Sequence, residues 1–468
     1  MGAPHFQGKT VAASIRRSRE GSDASAAMTS TKPSLRAAHA AFFSGDLATA
    51  IALCREILAV QPDTAGASQM LAMAQARSGD LPAAIQTLDA AIERLPGEPK
   101  LRVSRAEVRR ALARLDGAEA DLRAVLAARR DLAVVFSLAE VLQAQKKFPE
   151  ARALYQEILA LYPEEPAALC NLGTIEADIG DAERAIALYK AALRHDPALA
   201  GAETNLALLE FGAVSRADTV DRLRRALALA PGNVLVHAHL ALAHRLAGDP
   251  EAAARAYAAA RGLDATLADA LQDTHDHALT AAAGSTVHGD RLAVMRAAFG
   301  AAEPDGLVLE FGVYRGTSLR FLASAAAGTV HGFDSFEGLP EAWTERDPAG
   351  QYRVGRRPED LPDNVELHVG LFEETLPGFV AERSGPVRLL HVDCDLYAST
   401  VVIFQHLAPR VRAGSVIVFD EYFGYADWRR HEFRAFQEVA AKHGWRYRYV
   451  AVNPFGKQAA VRVTAIGS

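Results

Sequence analysis

The sequence predicts two folds in series: an all-α repeat solenoid, then a Rossmann-like α/β domain built on a seven-stranded, mostly parallel sheet. Three observations carry this. Prolines at Pro62, Pro96, Pro163, Pro197 and Pro231 stand 34, 67, 34 and 34 residues apart, and a period of that length signals a solenoid. From about residue 287 the period is lost, and past residue 299 apolar, strand-like runs alternate with helical ones, the pattern of a doubly wound sheet. Three acidic clusters, Glu310 to Gly316, His391 to Tyr397 and Phe419 to Tyr422, each follow such a run. A parallel sheet gathers the carboxyl ends of its strands along one edge, where ligand sites form, so an enzyme is expected.

At 468 residues the chain is long enough for two large cores. Its 51 Lys and Arg against 57 Asp and Glu give a net charge of −6, which offers no basic footprint for nucleic acid or an anionic membrane. The three cysteines, Cys54, Cys170 and Cys394, are too far apart for a disulfide framework or a CxxC metal site, and a cytoplasmic setting is expected. No run of 18 apolar residues predicts a membrane span, and the first 30 residues lack the apolar segment of a secretory signal. Residues 1–33, rich in Ser, Ala and Arg, are expected to be disordered, and Met28 is an alternative start.

The repeat array is assigned to residues 34–268, roughly seven units. In the unit ending at Pro197, an apolar stripe begins at Leu172 and Gly173, a helix breaks at Gly180 and Asp181, and Ala185, Tyr189 and Ala192 recur at helical spacing. The same offsets give Ala84, Leu88 and Ala91, then Ala151, Tyr155 and Ile158, and finally Ala253, Tyr257 and Ala260. Small residues let neighbouring helices approach and tyrosines fill the remaining holes, so these positions are core. The pattern resembles the tetratricopeptide repeat, which implies a groove able to take a protein partner. Charges such as Arg184, Lys190 and Arg224 are expected to be solvated.

Residues 269–299 form a linker and a lead-in helix capped by Asp290, and the α/β domain is assigned to 300–468. Its strands are expected at 307–311, 330–333, 365–369, 387–392, 415–419, 447–452 and 459–464, with helices at 317–327, 372–382, 399–411 and 430–443. The last two strands follow one another without a helix, which predicts an antiparallel hairpin at one edge. This arrangement resembles the class I S-adenosylmethionine-dependent methyltransferase fold.

Glu310, Gly312 and Gly316 occupy the first strand-to-helix turn, with Thr317 opening the helix. Glycines there permit close approach to the backbone, and a helix N-terminus favours an anion. Tyr314 stands where the generic motif has a glycine, and the GxGxxG spacing of dinucleotide binding is absent. Asp334 ends the second strand, 18 residues past Gly316, where a carboxylate can accept both hydroxyls of a ribose. Ser335 and Phe336 follow as adenine contacts. Asp393 closes one strand while Asp420 and Glu421 close its expected neighbour; three converging carboxylates suit a hard cation, Mg²⁺ before Ca²⁺ or Mn²⁺. Cys394 is expected to point away from Asp393 and Asp395. His391, inside an apolar strand, is expected to be a packed histidine.

Five strings in order, Glu310 to Gly316, Asp334 to Pro340, Gly370 to Pro377, His391 to Tyr397 and Asp420 to Tyr422, are similar to the macrocin O-methyltransferase family over roughly residues 300–465. The resemblance implies S-adenosylmethionine as cofactor and Mg²⁺ held by Asp393, Asp420 and Glu421. It further implies Asp395 as general base, Gly370 and Phe372 beside the adenine, and a hydroxyl on a sugar-containing acceptor as substrate. The connection 337–364, with Trp343, Tyr352 and several arginines, is expected to act as a lid. Two other readings stand beside this one: a repeat scaffold whose second domain binds the cofactor without turnover, and a catechol-type O-methyltransferase.

Overall fold

Residues 34–343 and 347–467 are described in this computed structural model; the expectations for residues 1–33, and for Arg346 in the proposed lid, lie outside them. The chain divides into two compact units, Met1–Leu172 and Gly173–Ser468. Helices run from Leu35–Ser44 to Pro250–Leu263 as seven consecutive pairs, and a further helix, Ala265–Thr280, follows. The breaks are chemical: Asp46, Asp80, Asp181 and Asp249 cap the second helices of their pairs by accepting a backbone N–H three residues on. The small and aromatic positions are core, with Ala185, Tyr189, Ala192, Ala253, Tyr257 and Ala260 all buried. Arg184, Lys190 and Arg224 are exposed, as expected, and two of them also reach buried carboxylates: Arg184 Nε lies 3.3 Å from Glu176 and Lys190 Nζ 2.6 Å from Glu210.

The α/β part carries an eight-stranded sheet of order β1-β7-β8-β6-β5-β2-β3-β4. The strands are β1 (Thr286–Val287), β2 (Leu307–Phe311), β3 (Val330–Asp334), β4 (Val365–Val369), β5 (Val387–Val392), β6 (Val416–Phe419), β7 (Arg446–Val452) and β8 (Ala459–Ala465). Seven are those the sequence predicts. The eighth is β1, two residues of the linker that pair in parallel with β7, so the antiparallel β7–β8 hairpin is flanked rather than terminal. Alternation along the strands splits the core. Leu309, Phe311, Phe333, Leu390, Val392 and Phe419 face the helices Phe372–Glu382, Tyr397–Leu407 and Glu432–Lys442, while Val308, Val330, Leu389 and Val418 face Arg291–Ala301 and Thr317–Ala325.

Within the second unit the last array helix packs on the sheet domain through polar contacts. Tyr257 Oη donates to His275 Nδ1 at 2.7 Å, and His275 Nε2 donates to the Pro454 carbonyl at 3.1 Å; Arg429 pairs with Asp273 at 2.9 Å. Burial, reinforced by nearby His239, pushes His275 down to about 3, and burial alone takes His239 to about 4. Both imidazoles are therefore neutral when folded and protonate more readily when unfolded. Their stabilisation is full above pH 6.5 and is lost as pH falls toward 4, on the order of 3 kcal/mol for each. Melting curves at pH 7.5 and 5 should show a steep fall for wild type and a shallower one for His275→Gln. Parallel slopes would contradict this.

Candidate active site

The strand order turns back beside β2, which lies between β3 and β5. A crevice at the carboxyl ends of β2, β3, β5 and β6 is therefore the natural ligand position. Backbone bonds fix those ends in register: Gly312 N–H to the Phe333 carbonyl at 3.0 Å, Asp393 to Phe311 at 2.9 Å and Asp420 to Val392 at 2.9 Å.

In the first turn, Gly312 has φ of +92°, and a Cβ there would lie 1.8 Å from the Asp393 carbonyl oxygen. The glycine is required because the end of β5 packs against this turn. Asp334 holds the turn from below: its Oδ2 accepts the N–H groups of Val313 at 2.8 Å and Tyr314 at 2.7 Å, and its Oδ1 accepts that of Phe336 at 2.7 Å. Tyr314, Phe336 and Asp395 all have φ between 51° and 61°, a left-handed backbone whose strain concentrates at functional sites. Gly316 caps the Thr317–Ala325 helix with φ of +76°. Ser335 Oγ accepts the Glu337 N–H at 3.2 Å. Gly370, φ +144°, donates to the Asp334 carbonyl, and half-buried Phe372 packs edge-on against Phe311 at 5.2 Å.

Two residues expected at the cofactor have buried side chains. Glu310 is fully buried, with Oε1 accepting from Ser318 at 2.8 Å and Oε2 3.4 Å from His391 Nδ1. The Phe336 ring lies in the core with Val313 and Leu319. Both side chains support the turn from the protein interior.

The acids at the ends of β5 and β6 converge. Donor atoms of His391, Asp393 and Asp420 all lie within 4.8 Å of one another, and His391 is fully buried in β5, packed as expected. Glu310 sits opposite it across the β2–β5 pairing, and neither ring nitrogen of His391 has a hydrogen-bond partner. Burial, then Asp420 and Asp395, holds the Asp393 carboxyl well above its usual range. Asp420 is also buried, yet its carboxyl is lowered, the burial being opposed first by Arg291 and then by His391 and other positive groups. Burial, then Glu421, pushes Asp395 up to about 7. Cys394 is buried, with Sγ 3.5 Å from Thr400 Oγ1.

Three site residues carry no signal in the sequence. Arg291, first residue of the lead-in helix, reaches within 4.0 Å of Asp420. Lys457, on the turn between β7 and β8, places Nζ 2.5 Å from Glu421 and over the rings of Trp343 and Tyr425. Glu432 is fully buried and accepts the Glu421 N–H at 3.1 Å. In the described part of the connection 337–364, Trp343 is buried, Gly350 donates to the Leu339 carbonyl and Tyr352 Oη donates to Asp347 at 3.2 Å.

The comparisons with known proteins agree with this architecture. Residues 309–422 match the family described as a methyltransferase domain, and residues 35–99, 103–166 and 136–200 match the tetratricopeptide repeat. The chain thus carries tetratricopeptide repeats followed by a methyltransferase domain. One relative, the 8-demethyl-8-(2,3-dimethoxy-alpha-L-rhamnosyl)-tetracenomycin-C 4'-O-methyltransferase of Streptomyces olivaceus, is 32% identical over 141 residues, 25% of this chain and 53% of that protein. The chain therefore spans about half the length of that relative. Among solved structures, the calicheamicin methyltransferase CalS11 matches at 21% identity and TM-score 0.29, over 37% of this chain and 76% of that one. The Cut9–Hcn1 complex of the APC/C matches at 16% identity and TM-score 0.42, over 49% and 45%. Among the described residues no helix is long and apolar enough to cross a membrane.

Proposed function

We propose that this protein is an Mg²⁺-dependent O-methyltransferase that uses S-adenosylmethionine to methylate a hydroxyl of a sugar-containing acceptor, with the repeats recruiting the acceptor's carrier or a protein partner. The observation that supports it most is the convergence of Asp393, Asp395, Asp420 and Glu421 at the ends of two neighbouring parallel strands, beside the turn that Asp334 holds. Among the described residues, four buried or half-buried carboxylates with Glu432 behind them are faced by Arg291 and Lys457, fewer cations than acids. Such an excess of buried negative charge is costly unless a cation compensates it. The donor set therefore fits a divalent metal, with Asp393 and Asp420 as holders and Glu421 beside them.

When bound, the metal would supply positive charge that favours the alkoxide character of an acceptor hydroxyl. S-adenosylmethionine would supply the methyl group, its carbon–sulfur bond breaking as the new carbon–oxygen bond forms. The turn at Gly312 to Thr317, Asp334, Ser335, Gly370 and Phe372 would hold this cofactor. Asp395 takes the hydroxyl proton. Ser318 holds Glu310 beside the His391 ring, while Lys457 keeps Glu421 in place. Trp343, Tyr352 and Tyr425 close the crevice against water. The rhamnosyl acceptor in the relative's name supports a sugar hydroxyl.

Transfer of a labelled methyl group to rhamnosylated and other glycosylated acceptors should be lost on chelation and restored by Mg²⁺. Turnover that survives exhaustive chelation would remove the metal from the proposal, and preference for catechols over sugars would replace the acceptor class.

A further inference from the structure

A second cluster of ligand-type side chains lies at the far edge of the sheet. The β3–β4 register sets His331 opposite Glu366 and Phe333 opposite His368, so period-two alternation puts His331, Glu366 and His368 on one face. We propose that these three residues form a transition-metal site, taking Zn²⁺ or a cation of similar preference, separate from the acidic group at the ends of β5 and β6.

The donor spacing carries this. His331 Nδ1 lies 3.3 Å from His368 Nε2 and 3.6 Å from Glu366 Oε2, and one donor atom from each residue falls within 4.8 Å of the others. A tetrahedral ion with ligands at about 2.0–2.1 Å sets its donors roughly 3.3–3.4 Å apart. Two imidazoles with one carboxylate are a donor set suited to zinc, unlike the acid-rich set in the crevice.

The rings are fixed without an ion. His368 stacks on Phe333 with centroids 4.4 Å apart and planes at 16°, and both imidazoles meet the edge of Phe379, at 5.0 Å for His331 and 5.1 Å for His368. Arg383 Nη2 holds the Glu366 carboxylate at 2.7 and 2.9 Å, the kind of outer contact that orients a metal ligand. His331 is buried, whereas Glu366 and His368 are half-exposed. An ion would thus have protein on three sides and a fourth position toward solvent. It would tie the edge strand β4 to β3.

The test is a Co²⁺ titration of tag-free full-length chain, followed by visible absorption and by calorimetry, alongside His368→Gln and Glu366→Gln. Because the crevice group also offers ligands, the readout is the difference between wild type and these variants, with circular dichroism confirming their fold. Wild type should bind one equivalent with tetrahedral-type absorption that both variants weaken by about tenfold or more, the loss even an outer-shell change produces. Equal uptake at equal affinity in wild type and either folded variant would overturn the site, as would the absence of such absorption in wild type.

Discussion

Asp395→Asn is expected to lower kcat by about 10²–10⁴-fold, the usual contribution of a positioned general base, while leaving cofactor affinity unchanged. The residue sits just past β5 with φ of +61°, where the Leu396 N–H reaches back to the Cys394 carbonyl at 2.6 Å. That tight turn aims the carboxylate into the crevice, and no side-chain group anchors it to the scaffold among the hydrogen bonds of the described residues. Asparagine keeps the size and tolerates the left-handed backbone, so the fold should survive and only proton acceptance be lost. A fall in kcat with unchanged KM separates this role from a structural one. A variant that keeps wild-type turnover would remove Asp395 from the chemistry.

The second large effect is expected from Asp393→Asn and Asp420→Asn. Each removes a carboxylate from the group that would hold the metal, and loss of that charge stabilisation, several kcal/mol, corresponds to about 10³-fold in rate. Neither change disturbs the strand register, since Asp393 and Asp420 are fixed there by their backbone N–H groups. A second consequence distinguishes a metal site from a structural ion-pair network. Without metal the acids repel one another, so Asp393→Asn should melt higher than wild type in the presence of a chelator and lose the stabilisation that added Mg²⁺ confers on wild type. A structural network would give the opposite sign, a variant that melts lower whether or not metal is present.

The parts of this molecule legible in the sequence are those where one residue pattern has one physical meaning. The 34-residue spacing and the Ala and Tyr positions marked the helix pairs, because only small and large residues in alternation let helices stack. Apolar runs followed by an acid mark β2, β3, β5 and β6 and the strand ends where the candidate site lies. What stayed hidden depends on register and on distant packing. The strand β1 is two residues long and has no periodicity; its place is set by pairing with β7 and by Gly289, where a Cβ would fall 2.1 Å from the Leu208 carbonyl oxygen. His391 is a core residue, as its apolar strand implies, but the sequence does not show that Glu310 lies beside it. Asp334 was predicted from its strand end, but its three backbone N–H partners were not. Lys457 and Arg291 reach the acids from a hairpin turn and a linker helix, and neither position carries a motif.

The central claim is that the crevice beside β2 binds S-adenosylmethionine, and calorimetry of the full chain with that ligand tests it most directly, with NAD as control and Asp334→Ala in parallel. Saturable binding of S-adenosylmethionine to wild type, none of NAD, and a marked loss in a folded Asp334→Ala are the expected results. No binding by correctly folded wild type, or undiminished binding by the variant, would contradict the account at its base.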